Sequence, residues 1–194
     1  GVLMPALKIA AAFSSQSAGQ TYAQSAQGLL LEATSHETAH LPFAALFIGT
    51  TDDLRATEAV ADIGLYLISE RNILNDPLSD LSKDQYPQAL GIFPMVASEA
   101  LGAKAADDHW REKHAPLALA VHTAMTHYYQ LNILHRFSGE AWDGLALCCF
   151  ASEEDLRHKF YNSDAGKRSI AEDVQRFANT RQSPRRVIAE IRDL

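Results

Sequence analysis

The stretch from Asp107 to Leu119, DDHWREKHAPLAL, holds the histidine best placed for proton-transfer chemistry. Trp110 and His114 are four residues apart, so they share one face of a predicted helix whose dipole favours the acidic pair at its start. Pro116 lacks an N–H and would clash with the carbonyl of Glu112, so we expect a kink or restart there. An imidazole titrates near neutral pH, so His114 could act as a general acid or base or could anchor a ligand. The alternative is a structural histidine that packs on Trp110 and hydrogen-bonds a carbonyl freed by the proline.

A row of polar side chains alternates with apolar ones from Met125 to Phe137, which we predict to be a strand. If the aliphatic row packs under the helices, the polar row faces a cavity and could orient a phenol or carbonyl by hydrogen bonds. Otherwise the row is an exposed face that binds nothing. The polar row consists of Thr126, Tyr128, Gln130 and Asn132.

Asp143 precedes Gly144 on the neighbouring predicted strand. A partly buried carboxylate at this place could act as a base, because burial raises the pKa of a carboxyl group. An aspartate before a glycine more often caps a turn, and Arg136 is a possible ion-pair partner. We therefore name Asp143 as a candidate base and favour the structural role for it.

The sequence contains no strong motif for a metal or a nucleotide cofactor. The eight histidines form no HxH or HExxH pattern, and the spacing of His36 and His40 is a weak zinc signal that a surface loop explains. No GxGxxG or Walker-type loop occurs. We therefore expect no metal and no cofactor.

The composition is that of an ordinary globular protein of 194 residues, 47% hydrophobic and 21% charged. A net charge of −7 argues against a nucleic-acid-binding protein. No apolar run approaches the roughly 20 residues of a membrane span, and the first residues lack the pattern of a cleavable signal. The adjacent Cys148 and Cys149 would point to opposite faces of a strand, so we expect two reduced thiols in a cytoplasmic protein.

The order strand, helix, strand, strand, helix, strand is predicted twice along the chain. A polar segment rich in breakers, NDPLSDLSKDQYPQ, falls between the two sets. The junctions FAALFIGTTDDLRATEAV and GLALCCFASEEDLRHKFY both run from an apolar strand through a cap and two acids to Leu-Arg, which favours an internal duplication. We therefore divide the chain into a first unit at 1–71, a linker at 72–88 and a second unit at 89–194.

Three separated motifs in the second half carry a family resemblance. They are His109 to Leu117 (HWREKHAPL), His127 to Gln130 (HYYQ), and Trp142-Asp143-Gly144 before a strand that ends in Phe150. The closing segment from Phe177 to Pro184, followed by a strand, also fits. This half resembles an EthD-type member of the dimeric α+β barrel superfamily, and the first half resembles the same fold only through element order.

The resemblance implies an α+β fold in which two tandem ferredoxin-like βαββαβ units pack sheet to sheet as an intramolecular dimeric α+β barrel and enclose a cavity. One chain would then be a monomer with an internal pseudo-dimer, although a further homodimer through free sheet edges is allowed. Two departures weaken the transfer of any one chemistry. Relatives often carry a histidine where this chain has Asn132, and the first half has no counterpart of WREKHAP.

The resemblance also implies a small cofactor-independent enzyme that decarboxylates, dehydrates or isomerises an aromatic or polyketide-like molecule by proton transfer. The first alternative is a non-enzymatic binding or accessory protein of the same type, and the second is a haem-binding relative. We expect a small hydrophobic or aromatic partner, no nucleic acid and no membrane. The candidate catalytic residues are His114, Tyr128 and Asp143, and the candidate ligand-binding residues are Trp110, Gln130, Asn132 and Phe150.

Overall fold

The computed structural model describes residues 6–194. The first half contains strands and helices in the order β1 (Ala6–Phe13), α1 (Gln16–Gln24), β2 (Gln27–Ala33), β3 (Ala45–Thr50), α2 (Leu54–Val60) and β4 (Gly64–Leu74). Two short 3₁₀ turns follow, at Leu78–Asp80 and Lys83–Gln85. The second half contains β5 (Ala89–Met95), α3 (Gly102–His109), a π-helical turn (Trp110–His114), α4 (Ala115–Val121), β6 (His127–Gly139), β7 (Gly144–Phe150), α5 (Glu153–His158), α6 (Asp164–Phe177) and β8 (Val187–Arg192).

All eight strands form one closed antiparallel barrel, in the order β1-β3-β2-β8-β5-β7-β6-β4 and back to β1. The two halves are hydrogen-bonded to each other at two seams, β2 with β8 and β4 with β6. The predicted pair of ferredoxin-like units packing sheet to sheet is therefore wrong. Sheets that meet only face to face would keep unpaired edges, whereas closure pairs the backbone groups of every edge strand.

The interior of the barrel is filled with side chains, so the predicted chamber between two sheets is wrong as well. Every strand contributes buried side chains to one central cluster. Trp142 stacks on Tyr66 near the start of β4, with ring centroids 5.6 Å apart, and Phe43 makes an edge contact with the same indole at 5.9 Å. Leu78, which follows β4, packs against the same cluster and closes the opposite end of the barrel.

The helices cover the outside of the barrel. Tyr129 and Leu131 of β6 face the interior cluster, whereas Tyr128 packs in the outer cluster with Ala115 and Ala118 of α4. The aliphatic row of this strand therefore points into the barrel and the polar row lies under the helices, which reverses the predicted arrangement. The alternation of polar and apolar side chains shows which residues share a face of a strand, but it does not show which face points into a closed barrel.

Most element positions were predicted well, with errors at the ends. The polar stretch proposed as a linker is partly regular, because β4 continues to Leu74 and Leu78 is buried. Helix α1 begins at Gln16, since Ser15 Oγ accepts a hydrogen bond from the N–H of Ala18 and caps the helix. The start of the first predicted strand, Leu3, lies outside the described residues, and the division at 71 and 89 stays a prediction. Among the helices of residues 6–194, none has the length and hydropathy needed to cross a bilayer.

Candidate functional site

A π-helical turn interrupts the long helical segment that begins at Gly102. The N–H of Ala115 donates to the carbonyl of Trp110, five residues back, instead of the usual four. Pro116 has no N–H for the carbonyl of Glu112 and would clash with it in a regular helix, so a wider turn before the proline relieves the conflict. The kink expected at Pro116 thus takes the form of a π turn. Such turns are frequent at functional sites.

The turn places Trp110 against the barrel wall. A Cβ atom on Gly144 of β7 would lie 2.7 Å from Cζ3 of the indole, so only a glycine at this position allows the ring to sit so close. The same approach brings the next helical turn, with His114, over the outer surface of the sheet. The π turn and Gly144 together determine where the histidine lies.

A cavity of about 300 Å³ lies between this helical segment, α6 and the outer surface of the barrel. Its size is at the lower end of the range of about 300 to 1,000 Å³ that is usual for small-molecule pockets. Most of the wall is apolar and aromatic, from residues that include Phe93, Met95, Phe160 and Phe177. The polar and titratable side chains of the wall include His114, His122, Tyr128 and Cys148.

His114 forms a buried hydrogen-bonded pair with Asp173 of α6. The two side chains are 8% and 6% exposed, and Nδ1 lies 2.7 Å from Asp173 Oδ2. His109 Nε2 lies 2.9 Å from the other carboxylate oxygen, and Arg176 Nη1 approaches the same oxygen at 3.4 Å. Asp173 is therefore surrounded by donors on both oxygens.

The pKa shifts of His114 and Asp173 show which of the two groups carries the shared proton. Burial alone would raise the pKa of Asp173, but the hydrogen bonds from His109 and His114 outweigh it and lower the pKa below its usual value. Burial lowers the pKa of His114, and the carboxylate only partly offsets this effect. At neutral pH an ionised Asp173 therefore accepts the Nδ1–H of a neutral imidazole. The other nitrogen of His114, Nε2, is then unprotonated and can accept a proton.

His122 is a second neutral histidine in the cavity wall. Its Nδ1 donates a 2.6 Å hydrogen bond to the carbonyl oxygen of Phe160, which leaves Nε2 as an acceptor. Burial lowers the pKa of this ring, and the charge on His114 would lower it further. His114 and His122 are eight residues apart on one helical segment, so about 12 Å of helix axis separates them. Both rings line the same cavity.

Tyr128 belongs to a hydrogen-bond network that reaches into the first half of the barrel. Its hydroxyl accepts a hydrogen bond of 3.1 Å from Gln130 Nε2, which also donates to the carbonyl of Trp110 at 3.0 Å. Gln130 Oε1 accepts from Arg71 of β4, at 2.8 Å from Nη2 and 3.1 Å from Nε. The guanidinium also makes a bidentate pair with Asp107 of α3, at 2.7 and 2.9 Å.

The thiol of Cys148 is not activated. Burial raises its pKa to about 12, so the sulfur is protonated at neutral pH and serves as part of the apolar wall. No cluster of three or more His, Cys, Asp or Glu side chains suited to a metal ion is found within residues 6–194.

Three of the predicted site residues line the cavity, and the other four do not. His114, Trp110 and Tyr128 belong to the wall, and Gln130 lies behind Tyr128. Phe150 is fully buried, and its ring packs in a tilted arrangement against Phe160 with centroids 5.6 Å apart, so Phe150 supports a residue of the wall.

Asn132 and Asp143 lie away from the cavity. Asn132 pairs with Gly144 across the sheet, at a half-buried position. Asp143 Oδ2 accepts a hydrogen bond of 2.7 Å from the N–H of Ala97, which fits the structural role favoured for it. The roles assigned to the seven residues stay predictions, and position alone supports those of His114, Trp110 and Tyr128.

Sequence reasoning missed Asp173 and His122. A signal for Asp173 was present, because Ile170, Asp173 and Phe177 recur at helical spacing on one buried face of α6. An acidic residue on such a face requires a partner, and the histidines of the HWREKH motif are the partners here. His122 follows an apolar run at the end of a helix, and no pattern distinguishes it from a surface histidine.

A family model matches the part of the chain that carries the helices of this site. The EthD domain family model matches residues 98–181, a segment that runs from just before α3 to just after α6. The resemblance stated for the second half is confirmed over that segment. Neither comparison confirms a second, degenerate copy in residues 1–71.

A solved structure described as an anthrone oxidase-like protein is similar to the whole chain. The TM-score is 0.56 over 96% of this chain and 90% of that one, with 7% sequence identity, so the likeness concerns the fold alone. Among curated proteins no sequence matches this chain. Residues 98–181 are therefore similar to the EthD domain, and they carry the histidine–aspartate pair on a barrel that has the fold of the anthrone oxidase-like protein.

Proposed function

We propose that this protein binds a small aromatic or polyketide-like molecule in the histidine-lined cavity and that His114 moves a proton on it. The observation that carries this proposal is the buried pair of His114 and Asp173 at the wall of a mainly apolar cavity. An apolar pocket with a few convergent polar groups is the usual form of a small-molecule site.

The proposed step is the removal of a proton from carbon next to a carbonyl or an aromatic ring. The proton passes to Nε2 of His114, and the electron pair of the C–H bond moves onto the carbonyl oxygen to give an enolate or phenolate. Asp173 keeps the imidazole in the correct tautomer and stabilises the imidazolium that forms. Return of the proton to another atom of the ligand completes an isomerisation. Loss of a β-hydroxyl, protonated as it leaves, completes a dehydration.

The same residues would serve a decarboxylation. In this route Nε2 of His114 first takes the carboxyl proton of an aromatic acid. Loss of carbon dioxide then leaves the electron pair of the broken C–C bond on carbon, and the imidazolium returns the proton to that carbon. Neither route requires a metal or an organic cofactor, which agrees with the absence of binding motifs for them in the sequence. The structural neighbour described as anthrone oxidase-like supports an aromatic ketone as a ligand class.

Anthrone itself is a suitable probe because removal of a methylene proton gives an aromatic anthracenolate. We expect the protein to accelerate the exchange of those methylene protons for deuterium in D₂O, followed by proton NMR. The His114→Ala variant should lose most of this acceleration because the base is gone. His158→Ala, at an exposed histidine on α5, is the matched control and should keep it. Equal exchange rates for His114→Ala and the wild type would overturn the proposed role of His114.

A second candidate function is binding without catalysis, and the contacts of Asp173 favour it. Two histidines and an arginine share its carboxylate, so Asp173 also joins α3 to α6 as a purely structural ion pair would. Native mass spectrometry of protein purified from its own host separates the two. A retained aromatic compound together with no exchange of anthrone protons would support a binding protein.

A further inference from the structure

The amide of Gln130 is held in one orientation from both of its ends. Oε1 faces Nε and Nη2 of Arg71, and a guanidinium can only donate hydrogen bonds. Nε2 faces the carbonyl oxygen of Trp110 at 3.0 Å, and a carbonyl can only accept. In a flipped amide, Nε2 would face the N–H donors of Arg71 and Oε1 would face the carbonyl oxygen of Trp110, so the hydrogen bonds at both ends would be lost. The donor Nε2 therefore always points at the hydroxyl of Tyr128, which lies 3.1 Å away.

Arg71 is itself immobilised. Its guanidinium makes the bidentate pair with Asp107 and lies over the indole of Trp110, 5.3 Å from the ring centroid. Arg71 belongs to β4, in the first half of the chain, while its three partners belong to the second half. The first half thus contributes one charged group that supports the cavity wall from behind.

The orientation of Gln130 determines what the hydroxyl of Tyr128 can do. The oxygen accepts from Nε2, and among residues 6–194 the hydroxyl donates to no protein acceptor. Its single proton is therefore available to a molecule in the cavity that Tyr128 lines. Burial keeps the hydroxyl protonated by raising its pKa far above the ordinary value.

We propose that Arg71 and Gln130 are positioning residues that hold the Tyr128 hydroxyl as the hydrogen-bond donor to an oxyanion on the bound aromatic ligand. The inference rests on the proposed function, because that proton transfer creates the negative charge on oxygen. A donor fixed in advance in an apolar site stabilises such a charge without having to reorient. The ligand class is thereby narrowed to molecules whose reactive oxygen becomes an enolate or phenolate.

The test uses 4-nitrophenol, whose neutral and ionised forms absorb at different wavelengths. The ratio of phenolate to phenol in the bound probe is measured over a range of pH at saturating protein. Tyr128→Phe should lower this ratio about tenfold relative to the wild type, since a hydrogen bond to a charged group is lost. The apolar cavity disfavours the phenolate in the wild type and in the variant alike, so the difference between their ratios reports the hydrogen bond alone.

Gln130→Glu tests the positioning role. The new carboxylate still pairs with Arg71, but it offers the hydroxyl of Tyr128 an acceptor in place of a donor and turns its proton away from the ligand. The ratio should fall as in Tyr128→Phe. In the double variant Tyr128→Phe, Gln130→Glu, the phenolate-to-phenol ratio should fall no further than in Tyr128→Phe alone. If the added charge acted directly on the probe, it would lower the ratio further even without the Tyr128 hydroxyl. Gln88→Glu adds the same charge at the exposed surface and should change nothing.

Arg71→Lys keeps the charge but cannot contact Asp107 and Gln130 with one planar fork, so the ratio should fall in this variant too. An unchanged ratio in Tyr128→Phe, or equal falls caused by Gln130→Glu with and without the Tyr128 hydroxyl, would overturn the inference while leaving the base role of His114 intact. Failure of every protein to bind the probe would instead count against the small-molecule site, and the inference would fall with it.

Discussion

At the scale of single residues, Asp173 is the charge around which the site is arranged. It is a buried carboxylate between two imidazoles, and its ionisation forces both rings to present an N–H to it. This arrangement leaves His114 Nε2 without a proton at neutral pH. In the proposed role, His114 can act as a base because the carboxylate of Asp173 holds the ring proton on Nδ1, as in other histidine–aspartate pairs.

Asp173→Asn should reduce the exchange of anthrone protons at least tenfold. The amide must donate to one of the two rings, so one imidazole is forced into the other tautomer. The pKa of His114 should fall further, because the carboxylate that raises it is gone. Proton NMR of the imidazole Cε1–H as a function of pH checks the pKa, and the exchange assay checks the rate. An exchange rate equal to that of the wild type would show that Asp173 does not orient the base.

The two buried histidines make the folded protein sensitive to mild acid. Folding lowers the pKa of both His114 and His122 below the ordinary value of 6.5. The unfolded chain therefore binds more protons below pH 6.5, so the stability is fully present above that pH and is lost as the pH falls from it toward the folded-state pKa. Each histidine can contribute a slope of up to about 1.4 kcal/mol per pH unit.

Urea unfolding at pH 7.5, 6.5 and 5.5 should show this loss. His122→Asn should lose less stability than the wild type over the same interval, because the amide can still donate to the carbonyl of Phe160 but does not titrate. His158→Asn, at an exposed ring, is the control and should follow the wild type. Parallel pH profiles for His122→Asn and the wild type would contradict the prediction.

At the scale of elements, the π turn is the feature that determines the site. The sequence located it correctly, since Pro116 signals an interruption whatever its form. The type of interruption was not predictable, because it depends on tertiary contacts. The carbonyl of Trp110 accepts hydrogen bonds from both Ala115 and the side chain of Gln130, which arrives from a distant strand.

Pro116→Ala should change the site more than the stability. Alanine supplies the missing N–H and removes the clash with Glu112, so a regular helix becomes possible through this segment. A regular helix would rotate His114 relative to Asp173 and lengthen their 2.7 Å contact. We expect a loss of anthrone exchange and a His114 pKa that falls still further below 6.5, because the carboxylate that raises it is more distant, with a melting temperature within a few degrees of the wild type. Unchanged exchange and an unchanged His114 titration would show that the proline is not needed for the turn.

Elements marked by local sequence signals could be predicted, whereas features that depend on tertiary packing could not. The bounds of helix α6, Asp164–Phe177, can be read from the sequence, because a serine cap and a helical apolar period mark the helix locally. The face of β6 was reversed, since alternation alone does not reveal which side faces the interior. Asp173 was not connected to His114 because 59 residues separate them, and only the packing of α6 against the π turn brings them together.

At the scale of the whole molecule, closure of the barrel puts an ion pair at one end of its interior. Lys8 precedes the inward-facing Ala10 and Ala12 of β1, and its Nζ lies 2.8 Å from Glu70 Oε2 of β4. Glu70 is only 5% exposed. The sequence could not predict this pair, because it follows from the β1–β4 hydrogen bonding of the closed sheet.

Lys8→Met should therefore reduce the free energy of unfolding by about 3 kcal/mol, since it leaves the buried Glu70 carboxylate without its cation. Adding Glu70→Leu should recover most of the loss by removing the stranded charge. Urea unfolding of the two single variants and the double variant measures the coupling between the residues. A double variant no more stable than Lys8→Met would contradict this account.

The outer surface of the barrel beneath α1 is packed more closely than the surface beneath α4 and α6, and this difference limits how many ligands one chain binds. Helix α1 lies directly on its part of the sheet, and a Cβ on Gly19 would come within 2.7 Å of the Ala45 methyl group. Phe13, Phe47 and Tyr22 pack beneath it. The cleft beside Tyr22 is lined mainly by polar residues, which do not suit an aromatic ligand. A calorimetric titration should accordingly saturate at an equimolar amount of ligand. Apart from Arg71, the first half of the chain then serves mainly as a frame for the site, and substitutions elsewhere in it can change the stability without altering which ligand binds.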